Sequence, residues 1–118
     1  MRVLIVDDEA AARHRLAIML AELDVEVVGE AENGLEALKL VRDRQPSVIL
    51  LDITMPDMDG LSALKEIRAF DSDARVAMVT AMGQQSIVME ALQAGAMDFV
   101  VKPFNAERVL AAIEKLVA

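Results

Sequence analysis

Short apolar runs alternate with longer segments of helical spacing along the whole chain. The runs are Val3-Leu4-Ile5-Val6, Val25-Glu26-Val27-Val28, Val48-Ile49-Leu50-Leu51, Val76-Ala77-Met78-Val79 and Phe99-Val100-Val101. Runs one and three are apolar at every position, as expected of central strands in a parallel sheet whose two faces are both covered. Run two alternates more and suits a place nearer an edge. Between the runs, Leu16, Met19, Leu20 and Leu23 stand at i, i+3, i+4 and i+7, an inward stripe on a first helix. Asn33-Gly34 begins a second, with Asn33 as N-cap and Glu36 in capping-box spacing. Gly60 opens a third, to about Phe70, with Leu61, Leu64 and Ile67 on one side. A fourth runs from about Gln84 to Ala94 and stops at Gly95, a natural glycine terminator. A fifth begins near Asn105, with Val109, Leu110, Ile113, Leu116 and Val117 as its apolar face. Five strands alternating with five helices predict one α/β domain over residues 1–118, with a parallel sheet and right-handed crossovers.

Composition narrows what such a domain does. The chain has 118 residues, of which 55% are hydrophobic, enough for a buried core and too many for a disordered segment. It has no cysteine, which removes disulfides, thiolate metal sites and a Cys nucleophile together. The longest apolar run, Leu16 to Ala21, is far short of the roughly 20 residues that span a bilayer. No signal-peptide pattern precedes the first acidic pair, so a cytoplasmic protein without membrane insertion is expected. Twelve Lys+Arg against twenty Asp+Glu give a formal net charge of −8. Phosphates would be repelled, which argues against direct nucleic-acid binding by this domain.

Ligands of open α/β sheets bind beyond the carboxyl ends of the strands, where the strand order reverses. Strand one ends in Asp7-Asp8-Glu9, strand three in Asp52, strand four in Thr80 and strand five in Lys102-Pro103. With the order 2-1-3-4-5, strands one and three are neighbours at the reversal and their acids converge. Carboxylates that close raise one another's pKa unless a cation compensates. A hard divalent ion with oxygen ligands does so, and Mg2+ fits best, because it takes one or two carboxylates, keeps waters and bridges to phosphoryl oxygens. Asp52 then reads as a nucleophile that forms an acyl phosphate. The metal, Lys102 and the Thr80 hydroxyl would neutralise the developing charge. No glycine-rich phosphate loop is present, so the phosphoryl group must come from elsewhere.

These residues in this order resemble the response-regulator receiver domains of two-component signalling, of the CheY type. The matching pieces are Asp7-Asp8 after Val3-Leu4-Ile5-Val6, Asp52 within Leu50-Leu51-Asp52-Ile53-Thr54-Met55-Pro56-Asp57-Met58-Asp59-Gly60, Thr80-Ala81, and Lys102-Pro103-Phe104. The match covers the whole chain. It implies a flavodoxin-like (βα)5 fold with a five-stranded parallel sheet of order 2-1-3-4-5 and helices on both faces. By the same resemblance Asp52 is the phosphoacceptor, and Asp8, Asp52 and the backbone carbonyl of Thr54 bind Mg2+, with Asp7 holding metal-bound water. Lys102 pairs with phosphoryl oxygens, Thr80 moves to hydrogen-bond them, and Phe99 is the aromatic that turns inward with it. The Lys102-Pro103 bond resembles the family's cis peptide, while Thr54 and Met82 stand where the family tunes the lifetime of the phosphorylated state. The implied partners are a sensor histidine kinase as donor and an effector protein docking on helix four, strand five and helix five. The protein would be a monomer or a phosphorylation-dependent dimer.

The segment from Ala81 to Phe104 is similar to stand-alone chemotaxis regulators, whereas Glu9 to Arg15 is closer to receivers attached to DNA-binding domains. The favoured reading is a chemotaxis-type regulator; the alternative is a receiver excised from a DNA-binding regulator. A phosphatase with an aspartyl-phosphate intermediate needs a second Asp two residues after the nucleophile, where Thr54 stands. An inactive pseudo-receiver is at odds with the complete acidic set. Local readings stay open beside the functional ones: Thr80 as a β-branched strand residue, Lys102 as an edge-strand lysine, and Phe99 as plain core packing. His14 lies off the inward stripe and should face solvent, and the scattered methionines should mostly fill the core. Met89 and Met97 are the ones that could face outward, as an adaptable partner surface. Asp57 and Asp59 read as turn and cap residues, and Gly60 as a point of close backbone approach.

Overall fold

A computed structural model of the protein describes residues 1–55 and 58–117. Asp57 and its expected turn role, with Pro56, lie outside the described residues. The order is β1 (Arg2–Val6), α1 (Ala10–Glu22), β2 (Glu26–Ala31), α2 (Gly34–Arg44), β3 (Val48–Asp52), α3 (Gly60–Phe70), β4 (Val76–Thr80), α4 (Gln85–Gln93), β5 (Asp98–Val101) and α5 (Ala106–Val117). The five strands form one parallel sheet in the order β2-β1-β3-β4-β5. This is the flavodoxin-like arrangement, with helices on both faces.

The two faces hold two separate cores. One side packs Leu4, Val6, Ile49, Leu51 and Met78 against Ala37 and Val41 of α2, Leu64 and Ile67 of α3, and Val88 and Ala91 of α4. The other packs Val3, Ile5, Leu50 and Val79 against Leu16 and Leu20 of α1 and Val109, Ile113 and Leu116 of α5. Each fully buried aliphatic side chain contributes about 1.5–3 kcal/mol by leaving water, so the alternation along β1 and β3 anchors both layers at once. On α5 the apolar face is one residue narrower than its sequence suggests. Val117 is exposed, Leu110 is half-buried, and Ala112 takes the inward place between Val109 and Ile113.

The strand expected at 25–28 begins one residue later and runs on to Ala31. Its register against β1 slips between Val3 and Leu4, pairing Val3 with Val27 but Leu4 with Gly29, so Val28 is an extra residue. Val25 and Val27 therefore pack on the α1 side, and Ala31 on the α2 side. The Arg44 guanidinium at the end of α2 donates to the carbonyl of Val28.

Local chemistry sets the helix ends that matter for the site. Asn33 Oδ1 accepts from the Glu36 amide at 2.9 Å, as expected of an N-cap, while Glu36 Oε1 accepts from Glu32 N at 3.1 Å. Asp59 Oδ1 accepts from Ser62 N at 2.7 Å and caps α3. At Gly60, a Cβ would stand 2.0 Å from the carbonyl oxygen of Asp52, so any other residue would push α3 off the end of β3. α4 ends at Gln93 with Ala94 as its C-cap, Gly95 at φ +113° and the Ala96 amide donating to Ala91 O at 3.0 Å.

Candidate functional site

The carboxyl ends of β1, β3, β4 and β5 meet at one edge of the sheet, and each contributes a polar side chain there. Asp7 and Asp52 are buried, at 5% and 6% exposure, and Asp8 is exposed. One carboxylate oxygen from each of the three lies within 4.8 Å of the others. Lys102 reaches in from the end of β5, its Nζ 3.0 Å from Asp7 Oδ2 and 3.6 Å from Asp52 Oδ2. Its own amide donates to the Thr80 carbonyl at 2.7 Å, and the Lys102–Pro103 peptide is cis, as the resemblance implies.

Backbone groups hold the acids in place. Asp7 Oδ1 accepts from the Glu9 amide at 2.9 Å, and the Asp7 carbonyl accepts from Arg13 Nη1 at 2.7 Å. Arg13 also pairs with Glu30 at 3.4 Å, tying the start of α1 to β2. Asp52 Oδ1 accepts from the Thr54 amide at 3.3 Å.

Asp7 and Asp52 thus share the ammonium of Lys102, with Asp8 beside them, and the imbalance shows in protonation. Burial first, and then the charge of Asp7, push the Asp52 carboxyl up to about 6; Lys102 and the Thr54 amide pull the other way, and Asp8 adds to the rise. Burial alone would lower Lys102. The hydrogen bond to Asp7 and the charges of Asp52, Asp7 and Glu9 outweigh it, and its pKa ends above the ordinary value. A divalent cation would balance such a cluster. The donor set is all carboxylate oxygen, and one oxygen of each acid lies within 4.8 Å of the others, close enough to serve a single hard ion. The residues fit Mg2+, the cofactor expected from the sequence.

Thr80, 2% exposed, ends β4, and Phe99, half-buried, stands on β5 beside it. Both line a mainly apolar cavity of about 350 Å3 with Met82, Gln84, Val88, Met89, Leu92 and Val101. Met89 and Met97 face outward, as anticipated, and Met82 is more exposed than either. His14 is exposed.

The sequence reading missed Gln84, which it took only as the first residue of α4. In the structure Gln84 precedes the helix, and its carboxamide hydrogen-bonds Thr80, Ala81 and Thr54. It also missed Arg13. Neither carries a motif: Gln84 acts through a residue thirty positions away, and Arg13 through a backbone carbonyl.

Known proteins place these features in a family. Residues 3–114 match the response regulator receiver domain. The chain is 54% identical over 114 residues to the chemotaxis protein CheY of Bacillus subtilis, covering 97% of this chain and 95% of that one. It is 47% identical over 115 residues to CheY of Thermotoga maritima, covering 98% and 96%. Its fold superposes with a TM-score of 0.95, at 33% identity and covering 100% of this chain and 90% of the other, on a chain of the CheX–CheY–BeF3–Mg2+ complex from Borrelia burgdorferi. Partnership with a phosphoryl donor and an effector follows from the same kinship. The chain belongs to the response regulator receiver domain family and is a CheY-like, phosphorylation-dependent switch of two-component signalling.

Proposed function

We propose that residues 1–118 act as one receiver domain in which Asp52 takes a phosphoryl group from a sensor histidine kinase in the cytoplasm. The observation that carries this assignment is the crowding of Asp52 with Asp7 and Asp8, against the ammonium of Lys102. An Asp52 oxygen attacks phosphorus, the bond from phosphorus to the donor nitrogen breaks, and the imidazole leaves with its electron pair. Bound Mg2+, held by Asp8, Asp52 and the Thr54 carbonyl with Asp7 through water, would neutralise charge on the transferring group. Lys102 is already within reach of Asp52 and pairs with a phosphoryl oxygen after transfer. Thr80 gives its hydroxyl proton to a second oxygen, and Phe99 follows it into the neighbouring cavity. Chemistry is confined to the protein's own aspartate, phosphorylated and later hydrolysed, with no external substrate turned over.

The output is a changed binding face. Met89 on α4, Met97 before β5, Val101 on β5 and Val117 on α5 are exposed, which supports the α4–β5–α5 side as the effector surface. The same side would serve a dimer, should phosphorylation produce one. Its relatives make a chemotaxis-type regulator the favoured role. Acetyl phosphate with Mg2+ should phosphorylate the wild type, and Asp52→Ala should take up nothing; persistent labelling of that variant would remove Asp52 from the mechanism.

A further inference from the structure

One side chain joins the Thr80 hydroxyl to the loop that follows Asp52. Thr80 Oγ1 donates to Gln84 Oε1 at 2.7 Å, and the Ala81 amide donates to the same oxygen at 2.8 Å. From the other end of the carboxamide, Gln84 Nε2 donates to Thr54 Oγ1 at 3.0 Å. Thr80's longer contact, at 3.1 Å, is to the carbonyl of Ala81. Gly83, at φ +88°, supplies the left-handed turn that brings Gln84 back toward Thr80.

A hydroxyl has a single proton to donate. While Thr80 gives it to Gln84, a phosphoryl oxygen on Asp52 cannot receive it, so the two hydrogen bonds exclude each other. Thr80 is buried, and the Ala81 carbonyl at 3.1 Å is the other acceptor in its reach. The adjoining cavity of about 350 Å3 offers the rearranged side chains somewhere to go.

We propose that Gln84 is the latch of the resting state, a positioning residue that acts through Thr80 and sets how readily the switch turns on. It stabilises the arrangement in which Thr80 is occupied, so part of the phosphoryl group's binding energy goes into displacing it. This rests on Asp52 being the phosphorylated residue, and the test separates the two ideas.

Beryllofluoride with Mg2+ serves as the phosphoryl mimic, titrated by calorimetry into wild type, Gln84→Met, Thr80→Val and the double variant. Methionine keeps the length of the side chain and removes its hydrogen bonds. The Gln84→Met change should tighten binding about three- to tenfold in the wild-type background, the range set by one neutral hydrogen bond. It should do nothing, within twofold, in the Thr80→Val background, because the threonine it restrains is gone. A change that merely loosened the structure would lower the melting temperature without that dependence on Thr80. No gain in the wild-type background, or an equal gain in the Thr80→Val background, overturns the latch alone. Failure of the wild type to bind overturns the phosphoacceptor reading with it. Should a variant not fold, the Gln84 side-chain amide resonances of the wild type decide: they should shift on saturation with beryllofluoride, and unmoved resonances overturn the latch.

Discussion

Asp52 and Asp98 are both buried, at 6% and 9% exposure, and sit at opposite ends of the sheet. At the start of β5, the Asp98 carboxylate accepts from the Phe99 amide at 2.8 Å and has Arg108 at 3.6 Å and Lys115 at 3.8 Å. At the end of β3, Asp52 meets one cation and two further carboxylates among the described residues. The chain supplies Asp98 with more positive charge than it needs, and Asp52 with less. Burial is therefore common to both acids; what sets Asp52 apart is the uncompensated charge around it.

The sharpest break in this comparison is chemical. Asp52→Asn should lose all labelling by acetyl phosphate, read by intact-protein mass spectrometry, while Asp98→Asn labels as the wild type does. Equal losses in both would erase the distinction.

Metal and proton should compete at one end of the sheet only. Because Asp52 protonates at about 6, Mg2+ affinity should fall below that pH, by up to about tenfold per pH unit lower. Asp98→Asn should leave this profile in place, and Asp52→Asn should flatten it; calorimetric titration between pH 5 and 8 checks both.

Stability should move in opposite directions at the two sites. The folded-state pKa of Asp52 lies above its ordinary 3.8, so its contribution is fully favourable below about pH 4 and is lost as the pH rises through about 6. At pH 7 without metal its charge is a burden. Asp52→Asn should then stabilise the fold by about 1–2 kcal/mol, a gain that vanishes below about pH 4. Asp98→Asn should destabilise by about 0.5–1.5 kcal/mol at neutral pH, because it discharges a paired acid while keeping the Phe99 hydrogen bond. Urea unfolding at pH 7 and pH 4 reads both. The smallest effect belongs to Lys115, whose side chain is 66% exposed: Lys115→Ala should change stability by less than about 0.5 kcal/mol.

Much of the site was legible because receiver chemistry sits at strand ends, and β1, β3 and β4 end where their apolar runs end. Asp52 and Thr80 close uninterrupted stretches from Val48 and Val76, so the elements that carry them also point to them. Gly60 could be read as a close approach, since no other residue tolerates a carbonyl so near. What stayed hidden depended on distant partners. The latch of Gln84 needs Thr54 from another loop, and the length of β2 needs the bulge, because Gly29-Glu30-Ala31 carries too little apolar surface to announce a strand. On α5, helical spacing admitted both Leu110 and Val117, and only the position of the sheet decided that Ala112 lies inward instead.

The bulge at Val28 has a consequence for how the protein tolerates changes in length. Removing that residue would restore an unbroken ladder with β1 and leave each later residue opposite its present partner and on its present face, Gly29 against Leu4, Glu30 against Ile5 and Ala31 against Val6. Glu30 would stay beside Arg13 and Ala31 in the layer beneath α2, while Arg44 would lose the carbonyl it now occupies. A single-codon deletion there should cost less than one within β3, whose unbroken register has no spare residue and whose later side chains would change face. The irregularity is a spare residue that lets this edge strand shorten without turning over.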